Sequence, residues 1–143
     1  MQFHTQDGYP IKIPIYFNNY SFIQYIGCGS ICAVVLVRDQ NTQLLYSAKI
    51  MSKKDIANRN MFNSIMNEVK VLQSIDHPHI IKLQEFFELK NENDEYYVII
   101  MEYCPNGDLL SYATGQGFKS ETEKKKIIQG FLEAIEYLHS HGI

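Results

Sequence analysis

Two strand-like runs joined by a glycine-containing turn constrain this chain more than any other feature. Tyr20 to Ile26 is aromatic and branched, and Ala33-Val34-Val35-Leu36-Val37 is a second apolar run, so each suits a strand. Between them, Gly27 and Gly29 let the backbone pass close to something bulky and negatively charged. The turn therefore joins strand to strand. A dinucleotide-binding turn must open a helix, with an acidic residue about 20 positions further on. Here no helical pattern follows, and Lys49 stands at that distance.

The polar turn Asp39 to Gln43 leads into a third strand, Leu44 to Met51, whose period-two alternation puts Leu45, Ser47 and Lys49 on one face. A helix is predicted over Met61 to Ile75, with Phe62, Ile65, Met66, Val69 and Leu72 forming an apolar arc. Glu68 lies inside it, within about 60° of Met61, Ile65, Leu72 and Ile75 at about 100° per residue. A carboxylate on an apolar face needs a cation or hydrogen-bond donors, and Lys49 is the nearest cation in the pattern. Taken singly, Lys49 also reads as a solvated strand edge and Glu68 as a helix margin.

Asp76-His77-Pro78-His79 ends the helix. Strands are predicted over Ile80 to Leu89 and Tyr96 to Tyr103, joined by the polar turn Lys90 to Glu95. Cys104-Pro105-Asn106-Gly107 breaks the pattern, and Asp108 to Thr114 has room for one or two helical turns. Ser120-Glu121-Thr122-Glu123 is a capping box, from which a helix carrying Ile127, Ile128, Phe131, Leu132, Ile135 and Leu138 runs to about His139. Met1 to Asn19, with Pro10 and Pro14, reads as an extended lead-in, so folded structure is expected to begin near Tyr20.

Composition removes several classes of function. The chain has 143 residues, enough for one domain, and 45% are hydrophobic. A net charge of -3 carries no basic footprint for nucleic acid or an anionic membrane. No apolar stretch approaches the roughly 18 residues that span a bilayer, and a cytoplasmic location is expected. Cys28, Cys32 and Cys104 form no disulfide framework. Cys28-x-x-x-Cys32 with Cys104 has no common zinc spacing, so no metal ligand is assigned. Lys124 to Lys126 reads as a solvated helix face.

The segments IGCGSICAV, YSAKI, NEVKVL, DHPHIIKL, VIIMEYCPNGDLLSY and AIEYLHSHGI, in this order, resemble the first part of a serine/threonine protein kinase domain. The similarity is to the calcium/calmodulin-dependent and AMP-activated type, and covers about residues 20 to 143. It implies an α+β kinase N-lobe over 20–103, with a five-stranded antiparallel sheet and one main helix. A hinge and short helix (104–119) and the first long C-lobe helix (120–143) would follow, with 1–19 as an N-terminal extension. By this resemblance Gly27, Cys28, Gly29 and Ser30 cover the ATP phosphates, with backbone N–H groups of Gly27 and Gly29 facing them. Lys49 holds the α- and β-phosphates and Glu68 orients Lys49. Ile26, Val34 and Ser47 line the adenine roof, with Met101 behind. The Glu102 carbonyl and Cys104 N–H bond the adenine edge, and Asp108 lies near the ribose. Leu72 and Leu83 join the hydrophobic column between helix and sheet.

The chain departs from the family pattern in three places. Cys32 replaces the third loop glycine, where a β-carbon restricts any backbone that needs positive φ. Ile31 replaces the aromatic at the loop tip, and Ser47 replaces alanine. The family's catalytic-loop aspartate, asparagine and DFG aspartate belong after Ile143, so residues 1–143 alone are expected not to phosphorylate anything. The implied function is the ATP-binding portion of a serine/threonine kinase, with Mg2+ and a protein substrate entering only in a completed domain. The alternative is a non-catalytic nucleotide-binding or kinase-interacting module, with a protein partner on the apolar face of helix 120–141.

Overall fold

A computed structural model describes residues 1–91, 93–115 and 117–143; Glu92, in the predicted polar turn, lies outside the described residues. The chain forms two compact units. The first comprises Met1–Ser74 and Leu83–Tyr103, the second Ile75–Lys82 and Cys104–Ile143.

The first unit is built on an antiparallel sheet. β4 (Tyr20–Cys28), β5 (Cys32–Asp39), β6 (Leu45–Ser52), β7 (Leu83–Asn91) and β8 (Asp94–Glu102) are the five predicted strands. A sixth, β3 (Tyr16–Phe17), extends one edge, giving the order β3-β4-β5-β6-β8-β7. It forms because Asn18, at φ 48°, turns the chain so that Phe17 pairs with Tyr20 and is buried. Strand β7 starts at Leu83 rather than Ile80, because the Ile80 N–H donates to the His77 carbonyl at 3.1 Å and closes a turn there.

Alternation along β5 and β6 divides the apolar side chains between two faces. Ala33, Val35, Val37, Ala48 and Ile50 share one core cluster; Cys32 and Met51 join the other with Ile56, Ile65 and Val69. The second cluster is covered by α1 (Lys53–Asn58), capped by Ser52, and α2 (Phe62–Ser74). Phe62, expected in the apolar arc, is exposed. Standing at the first residue of α2, it lies beside the Tyr97 ring at 6.0 Å.

The expectation of an extended lead-in before Tyr20 is overturned. β1 (Gln2–His4) and β2 (Pro10–Lys12) form an antiparallel hairpin, and Ile11 and Ile13 are buried with Val35, Val37, Val98 and Ile100. Pro10 is tolerated because it opens its strand, and Pro14 lies beyond its end.

In the second unit, α3 (Leu109–Gly115) and α4 (Glu121–Ser140) follow the Cys104–Asp108 turn. Ser120 Oγ accepts the Glu123 N–H at 3.1 Å, while the Glu123 carboxylate returns chiefly to the Lys119 N–H instead of that of Ser120. On α4, Gly130 and Ala134 are buried, whereas Ile128, Phe131 and Leu132 are exposed. A β-carbon at Gly130 would stand 3.1 Å from the His79 ring, so any larger residue there needs the ring to shift by a few tenths of an ångström.

Candidate functional site

The first unit brings its charged site residues together through strand register and helix phase. Lys49 pairs across the sheet with Val34 on β5 and Ile99 on β8, so these three side chains share the face covered by α2. From that helix Glu68 reaches back, and Lys49 Nζ donates to Glu68 Oε1 at 2.8 Å. The side chains are 21% and 40% exposed, so neither charge is sealed in the core. Lys49 has three N–H donors and uses one on Glu68, leaving the ammonium able to serve an anion from the accessible side. Held at one end and open at the other, the lysine is a positioned cation.

The glycine turn folds back on itself. The Gly29 N–H donates to the Cys32 carbonyl at 3.0 Å, which removes Gly29 from the predicted phosphate-facing amides. Within the described residues, the Ser30 and Ile31 N–H groups at the tip have no backbone acceptor. Neither Gly27 nor Gly29 adopts positive φ. The constraint on Gly29 is packing instead: a β-carbon there would stand 3.0 Å from Cys32 Sγ, so the sulfur would have to give way by a few tenths of an ångström. Cys32 also avoids positive φ, begins β5 and is 7% exposed. Its side chain is part of the core. The backbone conflict anticipated from a missing third glycine does not arise, because the strand begins one residue early. Ile31 at the tip is buried in the same cluster.

Ser47 lies opposite Met101 in the β6–β8 ladder, and its hydroxyl reaches the Glu102 carbonyl at 3.2 Å and that of Met101 at 3.4 Å. The hydroxyl expected beside adenine thus engages the Glu102 carbonyl, the one carbonyl assigned to the adenine edge. Ile26 is exposed, while Val34 and Met101 are half-buried. Cys28 is an exposed thiol, and its hydrogen bond is the main cause holding the Tyr25 phenol above its ordinary range.

Cys104 and Asp108 belong to the second unit. Asp108 accepts the Ser111 N–H through Oδ1 and the Ser111 hydroxyl through Oδ2, both at 2.8 Å. These bonds, the backbone one foremost, hold its carboxyl below the ordinary range. The side chain caps α3. Asp108 also lines a cavity of about 330 Å³ with Leu109, Tyr112, Glu123 and Ile127, a concavity within the second unit that the sequence did not reveal. Its only advance signal was the Ser120–Glu123 capping box.

A strand–turn–strand cover beside a lysine held by a helix glutamate defines a class of protein, and comparison with known proteins identifies it. The protein kinase domain family model matches residues 20–143. The chain belongs to that family. It is 38% identical over 126 residues to 3-phosphoinositide-dependent protein kinase B of Dictyostelium discoideum, covering 88% of this chain and 13% of the relative. It is 28% identical over 144 residues to the serine/threonine-protein kinase cds1 of Schizosaccharomyces pombe, covering 98% and 30%. The crystal structure of Rad53 1–466 in complex with AMP-PNP superimposes with a TM-score of 0.75 at 29% identity, over 87% of this chain and 32% of that one. The chain therefore spans less than a third of each of these proteins.

Proposed function

We propose that this chain supplies the ATP-binding portion of a serine/threonine protein kinase. The observation that carries the reading is the Lys49–Glu68 pair at 2.8 Å beside the turn spanning residues 27–32. Lys49 neutralises phosphate charge while Glu68 fixes where the ammonium sits, an electrostatic role that needs position more than reactivity. The Ser30 and Ile31 N–H groups, having no backbone acceptor among the described residues, take the phosphate-facing role first assigned to Gly27 and Gly29. Ile26, Val34 and Met101 form the apolar lining for the base. The Glu102 carbonyl completes the adenine contacts that the first unit offers in this reading.

Among the described residues, no three His, Cys, Asp or Glu side chains gather into a metal site. Transfer of the γ-phosphate to a protein hydroxyl, and the protein substrate itself, are properties we assign to the whole kinase.

Calorimetric titration of the chain with MgATP tests the reading. The expected result is saturable binding that Lys49→Ala weakens about 10-fold or more, the worth of one hydrogen bond to a charged group. Equal affinity in the variant would remove Lys49 from the site. Absence of binding in the unaltered chain would end the proposal.

A further inference from the structure

The hairpin β1–β2 does more than cover the sheet: it spans one face and ends on the glycine turn. At its root, Ile11 and Ile13 are fully buried. The Lys12 N–H donates to the Tyr96 hydroxyl at 2.9 Å, and Asn91 Nδ2 donates to the Lys12 carbonyl at 3.0 Å, fixing β2 to the β7–β8 end of the sheet. Further along, the Phe3 ring stacks on Phe22 at 5.6 Å and on Tyr25 at 5.4 Å, both on β4. At the far end Thr5-Gln6-Asp7-Gly8 is a β-turn, closed by the Gly8 N–H on the Thr5 carbonyl at 2.9 Å. Its outward amide is bound to the site: the Gln6 N–H donates to the Gly29 carbonyl at 2.8 Å. The same turn is held from the other side by Arg59 at the end of α1, which pairs with Asp7 at 2.7 Å and covers the Tyr9 ring at 5.1 Å.

We propose that this hairpin is a strap that positions the glycine turn, with the Gln6 backbone N–H as its positioning group and Arg59 as its anchor. The inference deepens the ATP-binding reading and rests on it for its functional consequence. A loop with two glycines has more backbone freedom than other loops, and ordering it on a ligand costs entropy. Tying Gly29 to a turn rooted in the core removes part of that freedom before any ligand arrives. Preorganisation of this kind raises affinity without adding a contact to the ligand.

Gln6 is the second residue of its turn, a place where proline fits the backbone, so Gln6→Pro deletes the N–H while preserving the turn. Amide hydrogen exchange in the nucleotide-free chain should show the Gly29 amide, which is bonded to the Cys32 carbonyl within the turn, exchanging about 2- to 10-fold faster in Gln6→Pro, the worth of one hydrogen bond. The MgATP dissociation constant should rise by a similar factor. Arg59→Ala, which leaves the turn sequence intact, should move both readouts in the same direction. Unchanged loop exchange in both variants would overturn the strap. Loop exchange that rises in either variant supports it even if no form binds MgATP, a result that would instead overturn the ATP-binding reading.

Discussion

At the residue scale, Gly29 and Cys32 have become one problem of packing. Neither needs an unusual backbone conformation, and the space a Gly29 side chain would occupy is limited by Cys32 Sγ at 3.0 Å. Gly29→Ala should therefore destabilise the chain by about 1–2 kcal/mol, as overpacking does. In a Cys32→Ala background the obstruction is gone, and the same change should be neutral or stabilising by up to about 1 kcal/mol through loss of glycine freedom in the unfolded chain. Urea denaturation of the four proteins in this double-mutant cycle measures the coupling. Equal effects of Gly29→Ala in the two backgrounds would show that the sulfur is not the obstacle. The contrast with Lys49 and Glu68 explains what the sequence could reveal. Their meeting follows from a strand period of two and a helix advance of about 100° per residue, both readable from a string of letters. The Gly29–Cys32 contact depends on where one buried thiol points, which has no sequence signature.

At the element scale, the five long strands and the two main helices were legible because each carries a sustained apolar period. α1 was not, since among Lys53–Asn58 Ile56 is the sole large apolar residue. β1 and β2 escaped because three-residue strands show too little alternation, and Pro10 obscured the Ile11-x-Ile13 repeat. The start of α4 shows a known motif serving an additional partner. Glu123 Oε1 accepts the Tyr112 hydroxyl at 2.7 Å, and Oε2 accepts the Lys119 N–H. Chiefly because of Tyr112, and then Lys119, the Glu123 carboxyl is held below its ordinary value of 4.5. A depressed folded-state value means that this contact contributes stability above the ordinary value and loses it as pH falls through the lowered one. Tyr112→Phe should move the Glu123 titration back up toward 4.5 in carboxyl carbon-13 NMR. It should also shift any acid-induced loss of the α3–α4 turn to higher pH. A Glu123 titration unaffected by Tyr112→Phe would assign the depression to the backbone amides alone.

At the scale of the whole molecule, the family match begins at residue 20, yet the packing of the first unit begins with the hairpin. A kinase pattern marks where a recurring sequence starts; a core marks where burial starts, and in this chain the two differ. Ile11, Ile13 and Phe17 are buried beside strand residues the family match does cover, such as Val35 and Val98, so the N-terminal segment shares their core. The consequence is measurable by comparing two isoleucines four residues apart. Ile11 is 0% exposed and Ile15 is 55% exposed. Ile11→Ala should cost about 2–4 kcal/mol in urea denaturation, the range for a deleted core side chain. Ile15→Ala should stay within about 0.5 kcal/mol, as a surface change does. If the segment were only a lead-in, both substitutions would be equally silent, and the hairpin could hold neither the sheet face nor the glycine turn. A large loss confined to Ile11→Ala would place the folding boundary of the first unit before residue 20, joining the stability of the sheet to the element that reaches its glycine turn.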